Sequence, residues 1–154
     1  MNMTTFYKEK IPTYPFIIWA VAISCLILLT ILLSQFTSRP VPLSDEMKIL
    51  LSILILLALV TTISFRALNI AVTEDQLIFG FGGWRRKVFL KNIEKIEIGE
   101  YKFKVYWGYG VRWGLDGSIG FIPRAGQGIK VWVKNKRWPY FIISNNPEEL
   151  VKMI

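Results

Sequence analysis

The sequence predicts a membrane α-hairpin followed by a mainly-β domain that stays outside the bilayer. Three observations predict it. Two long apolar runs lie before residue 66, and short runs of period two fill the chain after it. The apolar fraction of 53% and the mean hydropathy of +0.40 exceed what a soluble domain usually carries. At 154 residues there is room for one compact domain beside a membrane segment.

The first run, Phe16 to Leu33, holds 18 residues without a charge. As a helix it rises about 27 Å, close to the thickness of a hydrocarbon core. The second run, Met47 to Phe65, carries only Lys48, near its start, where a long side chain reaches the interface. Ser44 is placed to cap this helix, with Asp45 and Glu46 in the first turn, where the helix dipole favours negative charge. The connection, with Arg39, Pro40 and Pro42, is too short to hold a domain, so the two helices are expected to pack as an antiparallel pair. The chain thus divides into an N-terminal tail (1–15), two transmembrane helices (16–33 and 47–65, within 16–66) and a β domain (67–154).

No Asp, Glu or His lies at membrane depth, which argues against a transporter or proton path. Ser24, Thr30, Ser52, Thr61, Thr62 and Ser64 are expected to bond helix backbone or the partner helix. Cys25 is the only cysteine, so no disulfide forms within one chain. The first run lacks a small-x-small cleavage site and is followed at once by a second span, unlike a cleaved signal peptide.

Fifteen of the 19 Lys and Arg residues lie at or after Arg66, against 8 of the 11 acids, leaving +7 on the extramembrane part. Arg66 and the Arg85-Arg86-Lys87 cluster tip the positive-inside balance towards a multi-pass protein of the inner (plasma) membrane with both termini cytoplasmic. A basic domain beside a bilayer meets anionic headgroups first, at about 1 kcal/mol of attraction per cation near the surface. Nucleic acid is not the partner this placement suggests.

After Arg66, runs of alternating character read as strands: Ile70–Thr73, Leu77–Phe81, Lys87–Leu90, Lys95–Ile98, Phe103–Trp107, Ser118–Ile122, Ile129–Val133 and Tyr140–Ile143. Ile129, Val131 and Val133 share one face and Lys130 and Trp132 the other, as in a sheet with one side on a core. Turns at Glu74-Asp75, Gly82-Gly83, Asp116-Gly117 and Asn135-Lys136 leave short gaps suited to antiparallel hairpins. Asn146-Pro147-Glu148-Glu149 opens a short terminal helix, with Asn146 as N-cap and Pro147 at the first position. Leu150 and Ile154 form its apolar edge. About seven strands and this helix describe a curved antiparallel barrel or roll.

The segments Ile70-Ala-Val-Thr-Glu-Asp-Gln-Leu-Ile-Phe-Gly, Val88-Phe-Leu-Lys-Asn-Ile-Glu-Lys-Ile-Glu, Gly108-Tyr-Gly-Val-Arg-Trp-Gly, Gly128-Ile-Lys-Val and Asn146-Pro-Glu-Glu-Leu resemble the bacterial pleckstrin-homology-like domains found behind a two-helix membrane hairpin. The resemblance spans residues 66–154 and, with the hairpin, nearly the whole chain. It implies a PH-like roll and a headgroup-binding loop at the first basic cluster. It also implies a place among small membrane proteins of stress response or immunity to a membrane-active toxin. The terminal helix is shorter than the family's usual one.

Three segments set tryptophan beside cations: Trp84-Arg85-Arg86-Lys87, Arg112-Trp113, and Lys136-Arg137-Trp138. Indole favours the headgroup zone and guanidinium pairs with phosphate, so these nine residues are the candidate lipid- or partner-binding set. The competing reading is packing of rings under cationic stems. Gly108-Tyr-Gly-Val-Arg-Trp-Gly lacks the following helix that a dinucleotide fingerprint needs, so its glycines are read as a bulge or close approach. Without His or an exposed Cys, the usual nucleophilic triads and most zinc sites are excluded, and Glu94, Glu97 and Glu100 do not form an acid–base pair. No enzyme, cofactor or metal is expected. The partners expected are the bilayer, its anionic headgroups and an unidentified membrane protein; an accessory subunit of a larger membrane complex is the second reading.

Overall fold

The computed structural model describes residues 5–34 and 44–154, apart from the side chain of Ile17. The connection with Arg39, Pro40 and Pro42 lies outside them. The chain forms a helical unit, Tyr14–Ser64, and a sheet unit built from Met1–Thr13 together with Phe65–Ile154.

In the helical unit, α1 (Pro15–Ser34) and α2 (Asp45–Ser64) are 20 residues each and lie in contact with one another. The Met47 N–H bonds Ser44 Oγ at 3.3 Å, the expected cap, and Lys48 pairs with Asp45 at 2.8 Å. The hydroxyls turn back onto their own helix, as from Ser24 to the Ala20 carbonyl (2.9 Å) and from Thr62 to that of Ala58 (2.7 Å). α2 rises about 30 Å, with a mean hydropathy of 2.3 and none of its apolar window buried. Among the described residues it is the one helix long and apolar enough to cross a membrane.

Among the described residues the sheet unit has nine strands in two sheets. One is an antiparallel meander, β1 (Thr5–Pro12), β2 (Ala67–Thr73), β3 (Gln76–Phe81) and β4 (Trp84–Phe89), in that spatial order. The other contains β5 (Ile93–Glu100), β6 (Gly110–Trp113), β7 (Ile119–Ile122), β8 (Gln127–Val133) and β9 (Tyr140–Ile143), in the order β5-β8-β9-β7-β6. The inward residues Leu68, Ile70, Leu77, Phe79, Ile122, Ile129 and Ile142 are all within 1% of complete burial and form one core. Ile129, Val131 and Val133 face it, as expected.

Four expectations are corrected. Thr5–Pro12, within the segment read as a tail, is a strand. Its alternation of Tyr7 and Ile11 with Lys8 and Lys10 makes β1, which pairs with β2 from Thr5↔Thr73 to Pro12↔Ala67. The sheets do not close into a seven-stranded barrel, because β4 and β6 end their sheets as edges. Phe103–Tyr106 is a helical turn, α3, instead of a strand: Tyr106 is buried and stacks on Phe141 at 5.3 Å, whereas a strand would have turned Phe103, Val105 and Trp107 inward. Trp107 ends the turn in the left-handed region (φ 53). Finally, β7 and β9 pair in parallel, since β8 occupies the antiparallel place beside β9.

The short terminal helix, α4 (Pro147–Lys152), is present with Pro147 in its first turn, and Leu150 is fully buried towards β5 and β8. Asn146 makes no side-chain cap; its N–H instead bonds Ser144 Oγ at 3.1 Å.

β1 also ties the two sheets together. Glu9 accepts from Tyr7 Oη (2.9 Å), Ser144 Oγ (2.7 Å) and the Asn145 N–H (2.7 Å), so one carboxylate of the first sheet holds the end of β9. Burial, then the hydrogen bond to Glu9, pushes the Tyr7 phenol up to about 12. Because Ile11 is fully buried, Ile11→Ala is expected to cost about 2–5 kcal/mol. Lys10→Ala, on the exposed face of the same strand, should stay within about 0.5 kcal/mol. Thermal unfolding of the full chain in detergent checks this, and equal small effects would detach β1 from the fold.

Candidate membrane-facing surface

The register of the meander sets cations in rows on its outward face. Lys10, Asn69, Gly80 and Arg85 align in one row, and Lys8, Ala71, Ile78 and Lys87 in the next outward row. The uncharged residues in mid-sheet leave the cations standing on the two edge strands. Glu9 is turned to the other side by its three hydrogen bonds, and Glu74 and Asp75 sit in the β2–β3 turn at the far end. Among the described residues, none of Lys8, Lys10, Arg86 and Lys87 is in an ion pair.

The near end of the meander is where the chain leaves for α1 and returns from α2. There the Thr13 N–H bonds the Arg66 carbonyl at 3.1 Å and Thr13 Oγ1 bonds the Phe65 carbonyl at 2.6 Å. The Phe65 ring packs on Phe81 at 5.2 Å, and Phe81 pairs with Trp84. Gly110, at the start of β6, also stands against the Phe65 ring: a Cβ built there would lie 3.9 Å from it. Trp84, at 73% exposure, stands at this end opposite Phe81.

The three tryptophan–cation segments have different fates. Trp84, Arg85, Arg86 and Lys87 are exposed along the edge strand β4, with Arg85 Nε donating to the Gly82 carbonyl at 3.3 Å. Arg112 is drawn back to the Tyr109 carbonyl at 2.8 Å, while Trp113 meets Trp138 edge-on at 5.8 Å. Arg137 lies 4.9 Å over the Trp138 ring, so that pair packs on itself, and Lys136 stays exposed. The structure joins the second and third segments and sets the first on another edge.

Sequence reasoning missed Lys8 and Lys10, whose signal was the alternation in β1. It also missed the exposed Phe103, Trp107 and Leu115 beside α3, where the Leu115 N–H bonds the Val105 carbonyl at 3.0 Å.

Beneath α3 a polar chain runs from the buried Tyr106 and Ser118 to the exposed Asp116 and the half-buried Lys130. Tyr106 Oη and Ser118 Oγ are 2.7 Å apart, Ser118 Oγ donates to Asp116 Oδ1 at 2.7 Å, and Lys130 Nζ donates to Asp116 Oδ2 at 2.6 Å. Burial pushes the Asp116 carboxyl up, but the hydrogen bonds from Lys130 and Ser118 outweigh it and hold the group below its usual range. With Ser118 wholly buried and its neighbours satisfied, the chain ties β6–β7 to β8 and offers no free nucleophile. Arg112, Asp116 and Arg124 bond to Tyr109, Lys130 and Asn145 respectively and share no partner.

Compared with family models, curated proteins and solved structures, the chain matches none.

Burial drives the Tyr106 phenol up to about 12. An unfolded tyrosine releases its proton near pH 10. The stability this group contributes is thus complete below pH 10 and is lost as pH rises through 12. Phenolate absorbance should show two tyrosines titrating near pH 12, Tyr7 and Tyr106, of which Tyr106→Phe removes one; an unchanged curve would contradict the burial.

Proposed function

We propose that the chain is a non-enzymatic integral membrane protein whose α1 and α2 both cross the bilayer, and whose basic sheet unit binds anionic headgroups at the cytoplasmic face of the inner membrane. The observation that carries this reading is the pairing of β1 with β2. Strands on either side of the helical unit belong to one sheet, so the chain returns to the side it left. The number of crossings between Pro12 and Ala67 must then be even. α2 has the length and hydropathy to cross, and α1 is the other 20-residue helix available to return the chain.

Charge supports the same assignment. The sheet unit, residues 1–13 and 65–154, holds 17 Lys and Arg against 9 acids, and the helical unit 2 against 2, so the whole surplus of 8 sits on the sheets. Lys10 and Arg85 lie two residues from the Pro12–Ala67 row, about 7 Å at 3.4 Å per residue. That is within a Debye length of about 8 Å at physiological salt. Lys8 and Lys87, about 14 Å away, contribute less. The four-stranded meander and the terminal helix are in keeping with a PH-like roll open at one seam.

Topology is tested by single cysteines in a Cys25→Ser background, probed in intact cells with a membrane-impermeant maleimide. Ser38→Cys should label, while Asn2→Cys and Lys134→Cys stay protected. Labels on opposite sides for Asn2→Cys and Lys134→Cys would sink the reading.

Headgroup binding is tested on the full chain in neutral and anionic nanodiscs. Hydrogen exchange across β1 and β4 should slow in the anionic discs. Lys10→Glu with Arg85→Glu should abolish the slowing, and 0.5 M salt, about 4 Å of screening, should do the same. Identical exchange in both discs would point to a protein partner and the accessory role.

A further inference from the structure

The seam that keeps the sheets from closing is itself a pocket. It has a volume of about 300 Å³ and lies between the free edges β4 and β6. Val111, Ile119, Phe121 and Tyr140 supply its apolar wall. Behind them the fully buried Phe79 meets Phe121 at 4.8 Å and Tyr140 at 5.3 Å, both edge-on, so the wall is a packed aromatic cluster that resists collapse. At the lip stand Trp84, Arg85 and Arg86, and no carboxylate lines the pocket.

We propose that this pocket holds the single acyl chain of an anionic membrane amphiphile, with Arg86, set opposite Phe79 on the core-facing side of β4, on its carboxylate or phosphate. The volume is at the small end for ligand sites, suited to one unbranched chain segment more than to fused rings. Hydrocarbon is the complement of a wall built from Val, Ile and aromatic faces, and burying methylenes there removes apolar surface from water. The Arg86 guanidinium at the rim matches an oxyanion head, for which it offers paired donors, while Arg85 lies on the outward face and adds only its charge. The pocket also opens beside Trp84, in the row next to the Pro12–Ala67 junction, so membrane lipid is the nearest source of such a ligand. In that respect the inference rests on the membrane-surface reading above.

The test uses the full chain in neutral nanodiscs with a diazirine-bearing palmitate, irradiated and mapped by mass spectrometry. Crosslinks are expected at Val111, Ile119, Phe121 or Tyr140. They should fall at least tenfold in Val111→Trp, which fills the pocket. They should fall at least fivefold in Arg85→Gln with Arg86→Gln, exposed changes that leave the core intact, and fivefold with the methyl ester of the probe. Crosslinks to α1 and α2 serve as the internal reference. If the helices crosslink and the pocket does not, or if the ester labels the pocket equally, the lipid site is wrong and a peptide strand pairing with β4 replaces it. If the helices fail to crosslink as well, the membrane reading falls first.

Discussion

The pairing of β1 with β2 is the constraint on which the rest of the structure depends. Seven residues of register join a strand that precedes the helices to one that follows them. Without it, the meander would begin at β2, and Leu68, Ile70 and Val72 would form an open edge. Glu9 would no longer reach Ser144 and Asn145, and the two sheets would lose the carboxylate that links them. The Thr13 hydrogen bonds to Phe65 and Arg66 close the same junction from the helix side. Sheet formation must therefore wait until about fifty intervening residues have been made, a long loop closure in entropic terms. Once formed, it holds the ends of the helical segment together whatever solvent surrounds the helices.

That junction also organises the electrostatics. Cations on β1 and β4 share the outward face because residues of equal parity align across an antiparallel meander. The acids of the β2–β3 turn fall at the opposite end because a hairpin turn can only lie at a strand end. The charge gradient along the sheet is thus a result of register, and one-residue slips of β1 or β4 would move the cations to the core side. Burial of Tyr7 and Ile11 on one face of β1, and of Val88 on β4, is what opposes such slips.

Much of this was legible in the sequence. The run at Ile129–Val133 combines alternation with branched residues and is a strand with the expected face inward, and Tyr140–Ile143, a short apolar run of aromatic and branched residues, is a strand too. Ser44 announced the start of α2 through capping chemistry that depends only on neighbours. What was not legible depended on distant partners. Phe103 to Trp107 has strand periodicity, but the space between Phe141 and Ser118 accepts Tyr106, and the backbone coils to deliver it. β1 carries the right alternation, yet it stands next to an apolar run some 50 residues before its partner strand, so local pattern alone gave no reason to seek a pair. Nor does period-two patterning say whether a sheet closes. Closure depends on which edges meet, and β4 and β6 flank a pocket instead of pairing.

The three tryptophan–cation segments show why composition underdetermines a surface. All three set a tryptophan next to an arginine, and a fourth tryptophan, Trp132, sits between Lys95 and Lys130 at 5.2 and 5.4 Å. Trp132 belongs to β8, an interior strand, where Lys95 across on β5 and Lys130 two residues back on β8 itself supply the cations and the contact is structural. Trp138 lies in the β8–β9 connection, folded against Trp113. Trp84 alone begins an edge strand, with one neighbour instead of two, and its ring finds no aromatic partner among the described residues. An indole with a packed partner has already satisfied its apolar faces, whereas one at 73% exposure has not. Position at a sheet edge, set by strand order, therefore separates the ring free to meet a ligand from those that hold the fold together.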